Sequence, residues 1–349
     1  MKAIFTADCH LHNWPQFSTR LANGMNSRLY DCLAIWKQMG QVAKERKVDH
    51  IFILGDVFES RTKLDVDVAA HAVREIVALA KTVRQYVWIL QGNHDLHARA
   101  GDVHSLELFR NIPKVTVIDK PWVCLPIAGA HIAAFPYTSD INALRVEFSK
   151  LINVDLVLIH QAIREGTIGP YARTVSAELS VTDLPMDKCR YVFAGDYHRR
   201  QFFGPGDRVH YIGSPLQLKA DEVGEVKGFT YIDTDRWEVE TIPTKFPEFL
   251  LFNNPEDAGF AIANKQADPE KDFIRVKYED ACQTAAADLK ARYARLQIDE
   301  VKELRSLART TAAIFDSDFL LCQEFADQRN TEFETNTLLS VGLELLEGE

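Results

Sequence analysis

The sequence lacks the features that mark several classes of protein. Only 17 glycines and 13 prolines occur among its 349 residues, and no segment is rich enough in Gly, Ser or Pro to form a linker. It contains no stretch of ~18 uncharged apolar residues, so no membrane-spanning helix is predicted. Its first residues, MKAIFTADCH, run directly into an apolar strand and do not resemble a signal peptide.

Cysteine is sparse and shows no pairing. The six cysteines are isolated, without any C-x-x-C motif, and most stand in apolar contexts, where a free thiol packs as a small hydrophobic group. They are Cys9, Cys32, Cys124, Cys189, Cys282 and Cys322. A reducing cytosol fits this pattern best, so a cytoplasmic location is predicted.

Positive charge is also in deficit. The chain has 40 Lys and Arg against 50 Asp and Glu, a formal net charge of −10. This argues against a protein that coats nucleic acid by bulk electrostatics, because affinity for the phosphate backbone comes from clustered cations. It does not exclude a nuclease, since a carboxylate-rich site is itself acidic and bound divalent metals cancel part of that charge.

The apolar pattern of the first hundred residues predicts alternating strands and helices. Short runs rich in β-branched and aromatic residues occur at 2 to 7, 50 to 54 and 86 to 91. Residues 27 to 47 and 66 to 85, which lie between them, show helical spacing of apolar positions. Right-handed crossovers and a largely parallel sheet follow from this order.

After about residue 110 the predicted strands become shorter and follow one another more closely. Two further buried strands are predicted at 155 to 159 and 190 to 194, and shorter strands separated by turn signals at 201 to 242 suggest hairpins. A parallel half and an antiparallel half, each needing cover, suggest two stacked sheets flanked by helices. Because single cores stop growing near ~250 to 300 residues, a small additional unit is expected after residue 245.

Polar motifs follow five of the predicted strands directly. Ligands of such sheets bind outside the carboxyl ends of the strands, so these residues are expected to converge on one crevice. They are Asp8 and His10, then Asp56, then Asn93, His94 and Asp95, then His160, and finally Asp196 and His198.

Imidazole and oxygen ligands of this kind suit hard or borderline divalent metals. Two cations a few Å apart need a shared ligand, and the carboxylate of Asp56 can bridge them where a neutral imidazole cannot. Such a pair of metals would activate water and clamp the oxygens of a phosphoryl group.

The series D-x-H, G-D, G-N-H-D, H and G-x-x-H resembles the calcineurin-like metallophosphoesterases. The resemblance implies an α/β fold, a four-layer α/β/β/α sandwich, and two divalent metal ions. It assigns Asp8, His10 and His198 to the first metal, Asn93, His160 and Asp196 to the second, and Asp56 to both. His94 would stabilise the transition state or protonate the leaving oxygen, oriented by Asp95.

Residue 196 departs from the family pattern. The last motif of the family is usually G-H-x-H, and Asp196 stands in place of its first His. Aspartate can also ligate, although its reach is shorter and it adds a negative charge, which favours manganese or magnesium over a softer metal. Asp196 could instead orient His198 without touching the metal.

Three segments are similar to the SbcD-type double-strand-break-repair nuclease subunits of bacteria and their phage relatives. They are GDVFE at 55 to 59, YIGSPLQLKADE at 211 to 222 and KGFTYIDTD at 227 to 235. The resemblance implies a nuclease domain at 1–245, a small α/β capping domain at 246–297 and a helical partner-binding segment at 298–349. It also implies a homodimer that acts on DNA with an SbcC-like ATPase, in the host cytoplasm if the chain is phage-encoded.

Four charged residues near the motifs are candidates for substrate contact. Glu59 and Arg61 follow the bridging Asp56 and could contact a phosphate or nucleobase, whereas Arg199 and Arg200 adjoin His198 and could contact the nucleic-acid backbone. A surface ion pair is the alternative for the first two.

Two other functions remain open at this stage. The same site would serve a phosphoesterase acting on a small molecule such as a phosphomonoester or cyclic nucleotide. Alternatively, the change at position 196 could have cost the site a metal, which would leave a scaffold subunit. A metal-dependent DNA nuclease is the preferred interpretation.

Overall fold

The architecture is described from a computed structural model. It covers residues 1–98, 102–127, 129–169, 173–174, 176–279, 282–293 and 295–300. Within these ranges, no helix combines the length and the apolar character needed to cross a membrane.

Seventeen strands and five α-helices make up the described chain. The strands are β1 (Lys2–Thr6), β2 (His50–Leu54), β3 (Tyr86–Leu90), β4 (Val115–Ile118), β5 (Trp122–Ile127), β6 (Ala130–Phe135), β7 (Leu156–His160), β8 (Thr167–Ile168), β9 (Arg173–Thr174), β10 (Tyr191–Gly195), β11 (Gln201–Phe203), β12 (Val209–Tyr211), β13 (Gly228–Asp233), β14 (Glu238–Pro243), β15 (Phe249–Phe252), β16 (Phe273–Tyr278) and β17 (Gln297–Glu300). The helices are α1 (Ser27–Arg46), α2 (Val66–Ala80), α3 (Ile141–Ser149), α4 (Pro255–Ala263) and α5 (Gln283–Arg292).

Two six-stranded sheets form the main body. The first has the order β14-β13-β1-β2-β3-β4 and the second the order β11-β12-β10-β7-β6-β5. Strands β1, β2 and β3 are parallel, as predicted, and β4 joins them in parallel as well. In the second sheet β6, β7, β10 and β12 are parallel. The expected division into a parallel half and an antiparallel half is wrong. Each sheet has a parallel centre, and the late hairpin β13-β14 adds antiparallel to β1 because it pairs with the open edge of that strand.

The two sheets stack face to face between helices, which confirms the predicted α/β/β/α sandwich. Alternate residues of each buried strand point to opposite faces, so each sheet contributes to two apolar layers. The rings of Phe5 and Phe52 in the first sheet stack at 4.8 Å, and Phe193 of the second sheet meets Phe5 edge to face at 4.9 Å. Helices α1 and α2 cover the outer face of the first sheet, and α3 covers that of the second.

A smaller parallel sheet of order β15-β16-β17 follows the sandwich and is covered by α4 and α5. It contacts the main body through aromatic rings, with Phe17 5.3 Å from Phe249, and through the guanidinium of Arg28, 4.7 Å from the ring of Phe273. The predicted boundary after residue 245 falls between β14 and β15. Strand β17 crosses the predicted boundary at 297, and the rest of the predicted helical segment, 301–349, lies outside the described residues.

Candidate functional site

The five polar motifs meet at one edge of the two stacked sheets. Each follows the carboxyl end of a strand, namely β1, β2, β3, β7 or β10. Candidate ligand atoms of Asp8, His10 and His198 lie within 4.8 Å of one another, and those of Asp8, Asp56 and His160 do so as well. Residues separated by 190 positions in the chain therefore share one cluster.

Backbone conformation at this edge is unusual. Four of the candidate ligands have positive φ, at 51° for Asp8, 43° for His10, 52° for Asp56 and 104° for Asp196. Non-glycine residues in this region cost on the order of 1 kcal/mol each or more and tend to occur where function requires them. The strain lies at the polar motifs because tight turns aim their side chains at a common point.

Two positions of the site must be glycine because a candidate ligand side chain lies directly against the backbone there. A Cβ atom on Gly55, whose φ is 90°, would lie 2.1 Å from Nδ1 of His160, and a Cβ on Gly92 would lie 2.2 Å from Oδ1 of Asp56. Any larger residue at either position would displace a candidate ligand.

Asp56 stands between the two halves of the cluster. One of its carboxylate oxygens lies 3.6 Å from Nε2 of His10, and the other lies 3.4 Å from Nε2 of His160. The first oxygen thus faces His10 and also lies 3.2 Å from the Asn93 amide, whereas the second faces His160. This is the placement that a bridging ligand needs.

The ring nitrogens of His10 and His198 face each other. Their Nε2 atoms are 3.0 Å apart, while their Nδ1 atoms lie 2.6 Å and 2.9 Å from the carboxylates of Glu59 and Glu222. When both rings are neutral and the carboxylates keep their protons on Nδ1, two Nε2 lone pairs point at one location. A cation at that location would relieve the repulsion, and Oδ2 of buried Asp8, which has no hydrogen-bond partner among the described residues, adds a third acceptor.

Acceptors also converge at the second half. His160 donates from Nδ1 to the carbonyl oxygen of Leu54 at 2.7 Å, so in the neutral ring Nε2 carries the lone pair that a cation could bind. One end of the Asn93 side-chain amide lies 3.0 Å from that Nε2 and 3.2 Å from Asp56. Without a cation, the side-chain nitrogen of Asn93 would face these acceptors and donate to them. With a cation bound, the side-chain oxygen would turn to this side instead.

Asp196 lies at the rim of this second group. Its Oδ1 is 3.9 Å from Nε2 of His160, and its backbone N–H donates to Asp8 at 3.0 Å. Burial raises the pKa of Asp196 to about 6, with nearby carboxylates adding to the rise. Its side chain does not contact His198 among the described interactions, so the position favours the ligand interpretation over the orienting one.

The electrostatics also suit cations. Asp8, Asp56 and Asp196 lie together around His160, and burial raises the pKa of Asp8. Burial opposes the charged form of His160, yet the adjacent carboxylates of Asp56, Asp8 and Asp196 raise its pKa well above the usual value. The residues therefore fit a pair of divalent cations, which would neutralise the two buried carboxylates of Asp8 and Asp56 and the partly buried one of Asp196.

His94 lies beside the cluster but is held differently from the prediction. Its Nδ1 is 2.7 Å from the carbonyl oxygen of Glu59, and its ring meets that of His10 at 4.9 Å, edge to face. With Nδ1 donating to the carbonyl, Nε2 is the nitrogen available to a substrate.

The expectation that Asp95 orients His94 is wrong. The buried carboxylate of Asp95 accepts from the backbone N–H groups of Asp56 (2.9 Å), Val57 (3.0 Å) and Gly92 (2.9 Å). It clamps the loops after β2 and β3 together because a short acidic side chain can satisfy several exposed amides at once. Asp95 is therefore a structural residue of the site.

The four residues predicted to contact the substrate differ in what their side chains contact. A carboxylate oxygen of Glu59 lies 2.6 Å from Nδ1 of His10, so Glu59 positions a candidate ligand. Arg61 lies at the site, 2.9 Å from the amide of Asn93. Arg199 lines a cavity beside Asp196 and His198, while Arg200 donates to Thr230 and to the carbonyl of Gly228, both at 2.6 Å. Arg200 therefore anchors the segment to β13.

Sequence reasoning missed Glu222 and Lys227. Glu222 is buried, contacts His198, and lies 2.7 Å from the fully buried amine of Lys227. Burial alone would raise the pKa of Glu222, but His198 and Lys227 hold it at about 2. Both residues fall in or beside the segments 211 to 222 and 227 to 235, but no spacing rule links them to a histidine more than 20 positions away.

Comparison with known proteins gives three findings. Exonuclease subunit 1 of Enterobacteria phage T4 is 26% identical over 211 residues, which cover 59% of this chain and 59% of that protein, so the chain matches less than two thirds of the relative's length. A dimetal phosphatase from Danio rerio aligns with a TM-score of 0.42 at 10% identity, and the alignment covers 66% of this chain and 91% of the phosphatase chain. A nuclease from Pseudomonas putida aligns with a TM-score of 0.27 at 18% identity, and the alignment covers 60% of this chain and 66% of the nuclease chain.

The sequence profile described as calcineurin-like phosphoesterase matches residues 1–200, which is more than half of the chain and carries all of the polar motifs. The chain belongs to the calcineurin-like phosphoesterase family.

Proposed function

We propose that the protein is a metal-dependent DNA nuclease that hydrolyses phosphodiester bonds with two divalent cations. The observation that carries this proposal is the pair of acceptor clusters on either side of Asp56, with the ring of His94 beside them. The name of the phage T4 relative, an exonuclease subunit, supports DNA as the substrate.

Asp8, His10 and His198 would hold one cation and Asn93, His160 and Asp196 the other, with Asp56 shared. Bound cations would supply the positive charge that activates a water molecule and stabilises the phosphoryl oxygens. Manganese is the preferred metal, with magnesium next, because Asp196 adds a hard oxygen ligand where the family usually has an imidazole.

The protein's own groups would act around that centre. The carbonyl of Glu59 holds the His94 ring through Nδ1, so Nε2 can stabilise the transition state or give a proton to the departing oxygen. Glu59 and Glu222 keep the protons of His10 and His198 on Nδ1, which directs both Nε2 lone pairs inward. Arg61, beside Asn93, is placed to contact a phosphate.

The wider assembly remains part of the proposal. We propose a nuclease domain at 1–245, a capping domain at 246–297 and a partner-binding segment at 298–349, in a homodimer that works with an SbcC-like ATPase in the cytoplasm. The three-stranded unit after β14 gives a capping domain a structural basis.

The decisive experiment is manganese-dependent hydrolysis of end-labelled single- and double-stranded DNA by the wild type and by two variants, His94→Gln and Asp56→Asn. We expect the wild type to degrade DNA and both variants to lose at least ~100-fold in rate, since a positioned acid alone contributes roughly 10²-fold or more. His131→Gln is the matched control, because this half-exposed histidine lies at the opposite end of the second sheet.

Two outcomes would contradict the proposal. Hydrolysis of bis(4-nitrophenyl) phosphate without hydrolysis of any DNA would leave a phosphoesterase that acts on small molecules. Binding of fewer than two metal equivalents, with no metal-dependent turnover, would indicate a scaffold subunit.

A further inference from the structure

A cavity leads away from the candidate metal site along β11. The smaller cavity beside Asp196 and His198 holds about 180 Å³, and the adjoining one holds about 580 Å³. Arg199 and Glu225 line both, so the two cavities adjoin at these side chains. The larger volume falls in the range of ~300 to 1,000 Å³ that is typical of small-molecule sites. We call the larger cavity the β11 groove.

The charge of the β11 groove suits a phosphate. Arg199 and Arg200 both line it, and neither guanidinium forms an ion pair with any carboxylate of the described ranges. Glu225, the acidic residue of the groove, lies 2.9 Å from the amine of Lys227, which it shares with Glu222. Because Thr230 and the carbonyl of Gly228 already hold the guanidinium of Arg200, Arg199 is the cation placed to meet an anion in this acidic chain.

The β11 groove also offers an aromatic surface. The ring of Phe202 packs against His210 at 4.4 Å, and the residue is nevertheless 47% exposed. Val226, 65% exposed, also lines the groove. An exposed phenylalanine beside an arginine that forms no ion pair is typical of sites where an unstacked base rests on a ring and its phosphate meets a cation.

We propose that the β11 groove binds one nucleotide of the substrate strand next to the scissile phosphate, with its base stacked on Phe202 and its phosphate at Arg199. This inference rests on the proposed nuclease function and adds the substrate class, because a base reaches Phe202 only when it is unpaired. The site therefore takes a single strand or a frayed end.

The test is steady-state hydrolysis of a single-stranded oligonucleotide by the full-length protein with manganese. Phe202→Ala should raise KM about tenfold, because stacking on an aromatic ring contributes ~1 to 3 kcal/mol per base, and should change kcat less. Phe202→Trp should keep KM near the wild-type value, which separates stacking from damage to the fold. Phe260→Ala is the matched control, since this ring is 65% exposed on α4 and lines no part of the groove.

A second readout isolates the phosphate contact. Arg199→Gln should reduce the slope of log KM against log salt concentration by about 0.7, the value expected for one phosphate contact on a single strand. The fluorescence of a 2-aminopurine placed beside the scissile phosphate should be quenched by the wild type and less so by Phe202→Ala.

The outcomes separate the two proposals. Cleavage of DNA with equal KM for wild type, Phe202→Ala and Phe260→Ala would overturn the subsite and leave the nuclease proposal intact. Cleavage of bis(4-nitrophenyl) phosphate without binding or cleavage of DNA would overturn the proposed substrate, and the subsite with it.

Discussion

Each histidine of the candidate site has one ring nitrogen within 2.9 Å of an acceptor. That contact sets the tautomer and aims the other nitrogen inward, so the acceptors matter nearly as much as the ligands themselves. The acceptors are Leu54 for His160, the Glu59 carboxylate for His10, the Glu59 carbonyl for His94 and Glu222 for His198.

Glu222→Gln tests this arrangement. Loss of the negative charge weakens the preference of His198 for a proton on Nδ1 and leaves the buried amine of Lys227 with less compensation. We expect affinity for manganese to fall by ~10- to 100-fold, measured by calorimetric titration. Glu225→Gln is the control because Glu225 also contacts Lys227 but not His198. Equal losses in both variants would contradict the role of Glu222 in orienting His198.

At the scale of elements, helix α1 shows how local sequence supports the site from outside. Its start at Ser27 is set by Asn26, whose side-chain oxygen accepts from the backbone N–H groups of Arg28 and Leu29. Its apolar face packs on the first sheet, and Nε1 of Trp36 lies 3.4 Å from the sulfur of Cys9. In the sequence, Cys9 stands between the candidate ligands Asp8 and His10. The helix therefore supports the loop that carries two candidate ligands.

Asn26→Ala should destabilise the protein by about 1 kcal/mol, the usual effect of removing an N-cap side chain, in urea unfolding followed by circular dichroism. The matched control is Asp65→Ala, because Asp65 holds the same position at α2 but makes no capping hydrogen bond. Asp65 does accept from Asn13 at 3.0 Å, so a small loss is expected there. A larger loss in Asp65→Ala than in Asn26→Ala would rule out capping as the cause.

At the scale of the whole molecule, two histidines are buried in the sheets far from the polar motifs. Nδ1 of His50 accepts from the indole of Trp88 at 3.1 Å, and His210 donates from Nε2 to the carbonyl of Asp207 at 2.8 Å. Burial lowers the pKa of each imidazole to about 4. Both sheets thus contain a ring that stays neutral in the folded protein above about pH 4.

The two lowered pKa values predict that the folded protein loses stability in acid. The unfolded chain protonates these rings below pH ~6.5, whereas the folded chain does so only near pH 4. The unfolded state therefore binds more protons in this window, and the free energy of unfolding falls as the pH drops from about 6.5 to 4. Discounted for partial exposure, each ring contributes on the order of 1 to 2 kcal/mol.

His210→Gln, which cannot titrate, should reduce the pH dependence of the free energy of unfolding between pH 6.5 and 4, measured by urea unfolding. An unchanged slope would show that the ring is solvated in the folded protein.

Much of the sandwich was predictable because its strands are short apolar runs bounded by polar motifs. Strands β1, β2 and β3 and the starts of α1 and α2 follow directly from local spacing and confirm the prediction. The position of the hairpin β13-β14 beside β1 could not be predicted from local spacing. A hairpin pairs with whichever sheet edge is open, and the rest of the fold decides which edge that is.

The sequence by itself determined which residues could bind metal, since their types and their places after strands are local properties of the chain. Only the tertiary structure decided how those residues are held. Asp95 contacts backbone amides, Glu59 and Glu222 contact the rings of candidate ligands, and Arg200 turns to β13. Such contacts join positions far apart in the chain, and burial and hydrogen-bond geometry select them only after the sheets have packed.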